Sequence, residues 1–578
     1  MPDAQSRALF GRRFFRQLWR LTRVYWTSAD AWVGAGLLAL AAVFELGVVY
    51  GNVRLADVQR QIFDAMQDKD VPAFSRALSI FFGLVLVFLV VAAYRIYFRQ
   101  LLEIRWRRWL TDHYLGRWME SGAYYRMQLH EKETDNPDQR IAEDVRDYVA
   151  SALGLSLSLL SAVATLVSFL GILWSLSGAW NFRFADTEFH IPGFMVWVAL
   201  LYSGISTWFT HRVGRHLVPI NFEQQRFEAD FRYSLVRFRE NVEAVALSNG
   251  EEGERRGALD CFRHVVGNWL RLIKAQRNLS LVTTGFSQAN GVVPLLVAAP
   301  GFFFGRLTLG AVMQANIAYV QVSSALTWFV NAYVEIARWR ASVERLLSFG
   351  DAIDQTEALS RGIEFVPVAE PAIRLIDLRV ELPSGRVLLD GVNGTIAAGD
   401  KVVVIGPSSS CKSTLFRVFA GIWPFGRGRV ELPEKDHMLF VPQQPYLPIG
   451  TLRAAASYPA PEGTFSDARI REALALMDLG RFSDRLDDRE HWEQHLSSEE
   501  QQRLALARVL VHEPEWIFLD EATSTLDEAV EERFYGILEE RLPRAAIVTV
   551  AHRPGVAQFH DKRWTIVPHD GAATIEMT

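Results

Sequence analysis

Residues 406–414 read GPSSSCKST. A loop that cradles phosphate follows G-x-x-x-x-G-K-[ST], because backbone N–H groups must close around the anion and a lysine and a hydroxyl must follow. Cys411 stands where that pattern asks for glycine, so these nine residues do not decide the matter alone. Their surroundings do. The run DKVVVIG (400–406) reads as a buried strand entering the loop, and KSTLFRVFAGIW (412–423) as the helix leaving it. That order sets a helix N-terminus and its unpaired amides on the anion. Gly406, Pro407, Ser408, Ser409, Ser410, Cys411, Lys412, Ser413 and Thr414 are then the cradle, with Lys412 reaching the outer phosphates and the Ser413 hydroxyl offered to Mg2+.

A constellation downstream strengthens this reading. EWIFLDEATSTLD (515–527) is an apolar strand ending in two acids: Asp520, placed to hold Mg2+, and Glu521, placed to polarise an attacking water. LSSEEQQRLALARVL (496–510) begins a helix just upstream, and VPQQPYL (441–447) supplies Gln443 at the edge of the site and toward the metal. VTVAHRP (548–554) ends a strand on His552. Taken alone, a histidine at a strand end is more often structural than catalytic; in this order it reads as the sensor of the terminal phosphate. Short β-branched runs alternating with helical patterns across 371–578 fit an α/β P-loop nucleotide-binding domain.

The first 349 residues are of another kind. Apolar runs fall at about 31–50, 79–97, 151–176, 192–211, 280–304 and 310–335. Each nears or exceeds the roughly 20 residues that cross about 30 Å of hydrocarbon. A stretch such as SIFFGLVLVFLVVAAY (79–94) has no polar face to show water, which disfavours buried helices of a soluble protein. Six transmembrane helices are therefore expected, in a domain of residues 1–349 joined by a polar linker (350–370) to the nucleotide-binding domain. A length of 578 residues suits at least two such domains. Net charge is only −5, so no global field argues for nucleic acid. Two cysteines, Cys261 and Cys411, cannot make a disulfide framework and suit a reducing cytosolic face.

Arginines crowd RRFFRQLWRLTR (12–23), YRIYFRQLLEIRWRRW (94–109) and WRASVER (339–345), while the loops at 51–78, 177–191 and 305–309 carry few. The positive-inside rule then places both ends of the membrane half, and hence both termini, in the cytoplasm. The arginine leader, with Phe14, Trp19 and Trp26 interleaved, suits either an interfacial helix or a plain charge anchor. Stretches 98–150 and 212–279 are too long for turns, and their helical periodicity predicts that the spans continue well into the cytosol. Residues 118–130 and about 240–256 are the candidates for contact with the nucleotide-binding domain. Glu45 is read as the only acid inside a span, near its outer end, where snorkelling and a part in transport are equally open, and Gln288, Asn290, Gln314, Asn316, Gln321 and Asn331 as polar groups facing a cavity or each other.

These motifs resemble the ATP-binding cassette (ABC) transporter superfamily over nearly the whole chain. In its terms 406–414 is Walker A, Gln443 the Q-loop, 496–501 the signature with Ser497, Ser498 and Glu499, Asp520 and Glu521 the Walker B end, Asp527 the D-loop and His552 the switch. YYRMQ (124–128), NPDQRIAEDVRDY (136–148) and FRYSLVRFRENVEAVAL (231–247) resemble the bacterial SbmA/BacA-like peptide and cobalamin importers fused to a cassette, relatives of the peroxisomal fatty-acyl-CoA (ABCD) half-transporters. The resemblance implies an α-helical membrane domain of the type I exporter-like ABC fold, a bacterial inner-membrane location, a transported solute and a homodimer in the lipid bilayer. It implies too that each ATP is clamped between one subunit's phosphate loop and the other's signature.

The chain departs from this family at four glycines. Walker A normally reads GPSGSGKST and the signature LSGGEQQR, so Ser409, Cys411, Ser498 and Glu499 all replace glycine. A non-glycine held at positive φ costs on the order of 1–3 kcal/mol, which predicts weakened nucleotide binding. Glu499 adds a charge near the opposite subunit's terminal phosphate, a repulsion of about 4 kcal/mol at 4 Å and an effective dielectric near 20. The segment LRVELPSGRVLL (378–389) also offers no aromatic ring to stack on adenine. The expectation is an ABC-type ATPase that hydrolyses ATP poorly, with an ion-driven transporter carrying a vestigial cassette as the alternative.

Overall fold

The computed structural model describes residues 12–130, 136–177, 179–184, 187–358, 362–368, 370, 372–407, 411–551, 554–569 and 572–578. Ser408, Ser409, Ser410 and His552 lie outside the described residues, as does the side chain of Asn331. The chain forms two compact units: residues 1–114 with 138–347, and residues 115–137 with 348–578.

The first unit is helical. A short helix α1 (Arg12–Trp26) precedes α2 (Ala31–Gln67) and α3 (Val71–Met119). After α4 (Ala123–His130), which belongs to the second unit, a π-helical turn over Arg140–Asp144 leads into α5 (Val145–Ser177). A hairpin of β1 (Ala179–Phe184) and β2 (Thr187–Pro192), with Phe182 opposite Phe189, connects α5 to α6 (Phe194–Gly214). Then come α7 (Leu217–Glu240), α8 (Val242–Leu247), α9 (Glu251–Phe303), α10 (Leu309–Leu326) and α11 (Trp328–Ala358). Among the described residues, four helical stretches are long and apolar enough to cross a membrane: α2, α3, Pro137–Ser177 and α9. The other two expected spans coincide with α6 and with the stretch that Thr327 divides between α10 and α11. As expected from 98–150 and 212–279, α3 and α9 extend far beyond their apolar segments, whereas α5 begins close to its apolar run and α6 ends at Gly214, with α7 following as a separate polar helix. Charged residues with good helix propensity continue what the apolar ones begin.

Three sequence expectations for this unit change. The helix that carries Glu45 does not end near it: α2 runs on through VRLADVQRQIFDAMQ to Gln67, some 33 Å further at 1.5 Å per residue. The Glu45 carboxylate is buried and accepts from Arg95 Nη1 of α3 at 3.2 Å, so it is an ion-paired contact and does not snorkel. Nor is it the sole acid: Glu335, the last residue of the sixth expected span, accepts from the Ser151 hydroxyl. Gln314, for which the sequence leaves both cavity lining and helix-to-helix contact open, is buried glue between helices, donating to Asp57 Oδ1 at 2.6 Å and accepting from Arg60 Nη1 at 3.4 Å. Among the described residues Asn290 and Asn316 each keep a buried side-chain oxygen without a hydrogen-bond partner.

The second unit is sheet-rich. The expected irregular linker at 350–370 instead carries the end of α11, to Ala358, and an edge strand β3 (Glu364–Pro367). Strands β4 (Ala372–Glu381), β5 (Val387–Ala397) and β6 (Lys401–Ile405) lead to helix α12 (Lys412–Phe419). Next are β7 (Gly426–Leu432), β8 (Met438–Val441), α13 (Leu452–Ser457), α14 (Asp467–Leu476), α15 (Ser498–His512) and β9 (Trp516–Asp520). Helix α16 (Glu528–Arg541), β10 (Ala546–Val550), β11 (Lys562–Pro568) and β12 (Ala573–Met577) complete the unit. The sheet runs β3–β7–β4–β5–β12–β11–β6–β10–β9–β8. Strands β6, β10, β9 and β8 are parallel, with Val404 beside Val550, Val550 beside Asp520, and Leu519 beside Val441. Their mostly buried, apolar composition is that of strands covered on both faces. The loop after β6, the acids after β9 and Gln443 after β8 therefore share one sheet edge, the carboxyl ends where α/β sheets bind ligands.

Candidate functional site

Helix α12 begins at Lys412 with Cys411 as its N-cap. Lys412 is buried, and its Nζ donates to the Gly406 carbonyl at 2.9 Å, folding the lysine across the mouth of the loop. Burial lowers its pKa, against the pull of the Glu521 and Asp520 carboxylates that raises it. Asp520, at the end of β9, has its pKa raised by burial and by the neighbouring Glu521; Arg417, Lys412 and a hydrogen bond with the Ser413 hydroxyl oppose this. Among the described residues its Oδ1 is buried without a hydrogen-bond partner. Glu521 has φ of 51°, the left-handed region that costs a non-glycine residue strain, fixed by its N–H donating to Val550 O at 3.0 Å. This turns its carboxylate to accept from Gln443 Nε2 at 3.2 Å.

The structure thus gathers Lys412, Ser413, Gln443, Asp520 and Glu521. These residues fit Mg2+: a hard cation takes few protein oxygens beside phosphate, and Asp520 Oδ1 with the Ser413 hydroxyl beside it is such a donor pair. Gln443 turns its amide N–H toward Glu521 instead. Ser497, Ser498, Glu499 and Asp527 are not drawn into this cluster. Ser497 caps α15 in a reciprocal capping box with Glu500, Ser498 opens that helix, and Glu499 accepts from Arg503 Nη2 at 2.5 Å. Asp527 is the exposed N-cap of α16, its side chain making no cap hydrogen bond.

Two readings of the missing glycines change. Cys411 has φ of −75°, an ordinary value, so the strain expected there is absent. Its side chain turns away into the apolar layer, buried beside Leu415, Leu389 and Val404, with Sγ 3.8 Å from Leu388 O. Neither Ser498 nor Glu499 has positive φ; both lie in the first turn of α15. Glu499 has Arg503 as a counter-charge, which the isolated motif did not reveal.

Other residues surface only in three dimensions. Gln502 is buried on α15, donates to the Gln443 carbonyl at 3.1 Å and accepts from Thr525 N at 3.3 Å, tying the segments after β8 and β9 together. Its spacing from Ser498 on one helix face was the available signal. Arg508, held below the usual arginine range at about 10 by burial, donates to Ala455 O and Tyr446 O at 2.8 and 2.9 Å. Residues 118–130, expected to meet the nucleotide-binding domain, lie in this unit: Leu129 packs on its core, and Tyr125 lines a cavity of about 500 Å3 with Phe416, Arg417 and Asp520. The other candidate, 240–256, belongs to the first unit, where α8 is mostly exposed.

The family description "ABC transporter transmembrane region 2" matches residues 21–303, and "ABC transporter" matches residues 389–524. The inner membrane ABC transporter ATP-binding protein YddA of Escherichia coli is 33% identical over 545 residues, covering 94% of this chain and 95% of its own length. ABC transporter D family member 2, chloroplastic, of Arabidopsis thaliana is 30% identical over 638 residues, covering 97% of this chain and 87% of its own length. Human ATP-binding cassette sub-family D member 3 is 25% identical, over 96% of this chain and 88% of its own. The solved structure of a bacterial Atm1-family ABC exporter with ATP bound superposes with a TM-score of 0.66 at 16% identity, covering 93% of this chain and 94% of that one, a shared fold.

Proposed function

The chain belongs to the ABC transporter family, with a membrane region and an ATPase fused in one polypeptide, and on that premise we propose a homodimeric half-transporter that couples Mg2+-dependent ATP hydrolysis to solute movement across a bacterial inner membrane. Both termini face the cytoplasm, as the arginine distribution requires. One observation carries this reading. Lys412, Ser413, Asp520, Glu521 and Gln443 converge at the carboxyl ends of parallel strands, joined by the contacts described above.

Each residue has a definable task. Lys412 leaves Gly406 O to meet the outer phosphates, as a point charge already facing two carboxylates. Asp520 and Ser413 hold Mg2+, whose charge offsets that of the phosphates. Glu521 orients and polarises water, its strained backbone and Gln443 fixing the carboxylate's direction. Ser497, Ser498 and Glu499 act on the partner copy's nucleotide, and Asp527 and His552 complete the shared pocket. Ser408, Ser409 and Ser410 close the loop on phosphate.

Hydrolysis is slowed, chiefly at Glu499. Cys411 contributes little to the loss, since it is unstrained. The cargo is a large solute. Similarity to D-family relatives favours acyl-CoA-like lipids, while segments 124–128 and 136–148 favour peptide-like or cobalamin-like cargo. An ion-driven transporter with a vestigial cassette is disfavoured, because Glu45 is committed to Arg95 and because Lys412, Ser413, Gln443, Asp520 and Glu521 come together among the described residues. The test is ATP turnover by full-length protein in lipid. Glu521→Gln is expected to lower kcat about 100-fold or more, the ordinary size of a lost general base. A variant as fast as the parent refutes the assignment.

A further inference from the structure

We propose that a cavity in the first unit binds one anionic phospholipid, its phosphate on Arg306 and its glycerol and upper acyl carbons on an apolar wall. The cavity has a volume of about 370 Å3. It is lined by the last residues of α5 (Ser175–Ser177), the first of α6 (Phe194, Met195), the end of α9 (Val297–Gly301) and the turn entering α10 (Arg306–Thr308). All four are places where the chain reverses at one end of the bundle, so the cavity lies at the level where helices leave the bilayer.

The lining is chemically divided. Leu176, Phe194, Met195, Val297, Pro300 and Leu307 make an apolar wall, and the only charged side chains are Arg60 and Arg306, with no carboxylate among the lining. Arg60 is held from behind: Nη1 donates to Gln314 Oε1 at 3.4 Å and Nε faces Asp64 Oδ2 at 3.5 Å. Asp64 in turn accepts from Gly310 N at 3.0 Å, where α10 approaches α2 so closely that a Cβ on Gly310 would stand 2.2 Å from Arg60 O. The wall on this side is therefore built, not loose. Arg306 differs. Among the described residues its guanidinium meets no carboxylate or carbonyl, and it is exposed at the mouth.

An unneutralised guanidinium over an apolar wall at the bilayer surface matches a phosphate with hydrocarbon attached. A free anion would leave the wall unused. A zwitterionic lipid brings its own cation to a site that already has two guanidiniums, so a headgroup of net negative charge is preferred.

The test uses full-length protein in nanodiscs of phosphatidylcholine containing phosphatidylglycerol, followed by mass spectrometry of the lipid retained per chain after detergent extraction. Wild type is expected to retain one phosphatidylglycerol. Arg306→Gln should bind it about tenfold more weakly, the size of one charge-assisted hydrogen bond. Arg306→Lys should keep most of the retention, and Lys69→Gln, which removes a cation elsewhere in the loops between helices, should change nothing. On wild-type protein, short-chain phosphatidylglycerol should displace the bound lipid and inorganic phosphate at equal concentration should not. Equal retention by Arg306→Gln, equal loss in Lys69→Gln, or displacement by inorganic phosphate would each overturn the proposal.

Discussion

Glu499 lies one turn before Arg503 on α15, and the pair sets how much the altered signature costs. Alone, a carboxylate about 4 Å from a terminal phosphate at an effective dielectric near 20 meets about 4 kcal/mol of repulsion, close to a thousandfold in rate. The structure reduces this twice. Arg503 donates to Glu499 at 2.5 Å, so the pair is nearly neutral seen from outside, and the Glu499 side chain is 41% exposed, so water screens what remains. At the dielectric of water the same separation gives only about 1 kcal/mol, or roughly fivefold. We therefore expect Glu499→Gly to raise kcat/KM for ATP about fivefold. Arg503→Gln should lower it about fivefold by exposing the charge, and the double variant should match Glu499→Gly within a factor of about two. Phosphate release from full-length protein in lipid, at low and high salt, is the assay, and salt should shrink the effects. No change in Arg503→Gln, or a several-hundredfold gain in Glu499→Gly, would show that the pair does not screen the charge.

The other expectations follow from single contacts. Cys411→Gly should bring no gain in ATP affinity and should lower the cassette's Tm, because it removes a buried side chain and relieves no strain; tighter ATP binding would contradict the observed φ. Burial lowers the pKa of both His512 and His560, so the unfolded chain binds more protons just below pH 6.5 and cassette stability should fall as pH drops through that value. A Tm that stays level from pH 7.5 to 5.5, or a fall that persists unchanged in His512→Gln/His560→Gln, would count against this. Glu45→Leu strands Arg95 in the bilayer and should cost about 3 kcal/mol, which Glu45→Leu/Arg95→Leu should largely recover in a Tm measured in lipid.

The phosphate site was legible because its signals are local. A strand, a lysine and hydroxyl at fixed spacing, and an apolar run ending in Asp520–Glu521 need no tertiary information. The energetic reading was less legible, since strain is a property of φ and not of residue type. Cys411 adopts φ of −75°, while the left-handed conformation falls on Glu521, which no sequence rule marks. Arg503 and Gln502 escaped notice because their partners are set by helix phase and by a neighbouring strand end. In the membrane half, hydropathy locates hydrocarbon-length runs but not helix ends. Ala31–Gln67 continues past its apolar part, and 310–335 is broken at Thr327. The β1–β2 hairpin lies where low arginine content had been the only reading.

Because residues 115–137 fold with 348–578, the cassette is assembled from two distant pieces of chain, and Leu129 supplies part of its interior packing. A ribosome that has finished the first piece must add roughly 440 more residues before the second is whole, about 20–90 s at ~5–20 residues per second. During that interval α4 has no native surface to rest on, which makes it a natural hold for a chaperone. Expressing 348–578 alone would deliver a cassette with an uncovered seam, prone to self-association.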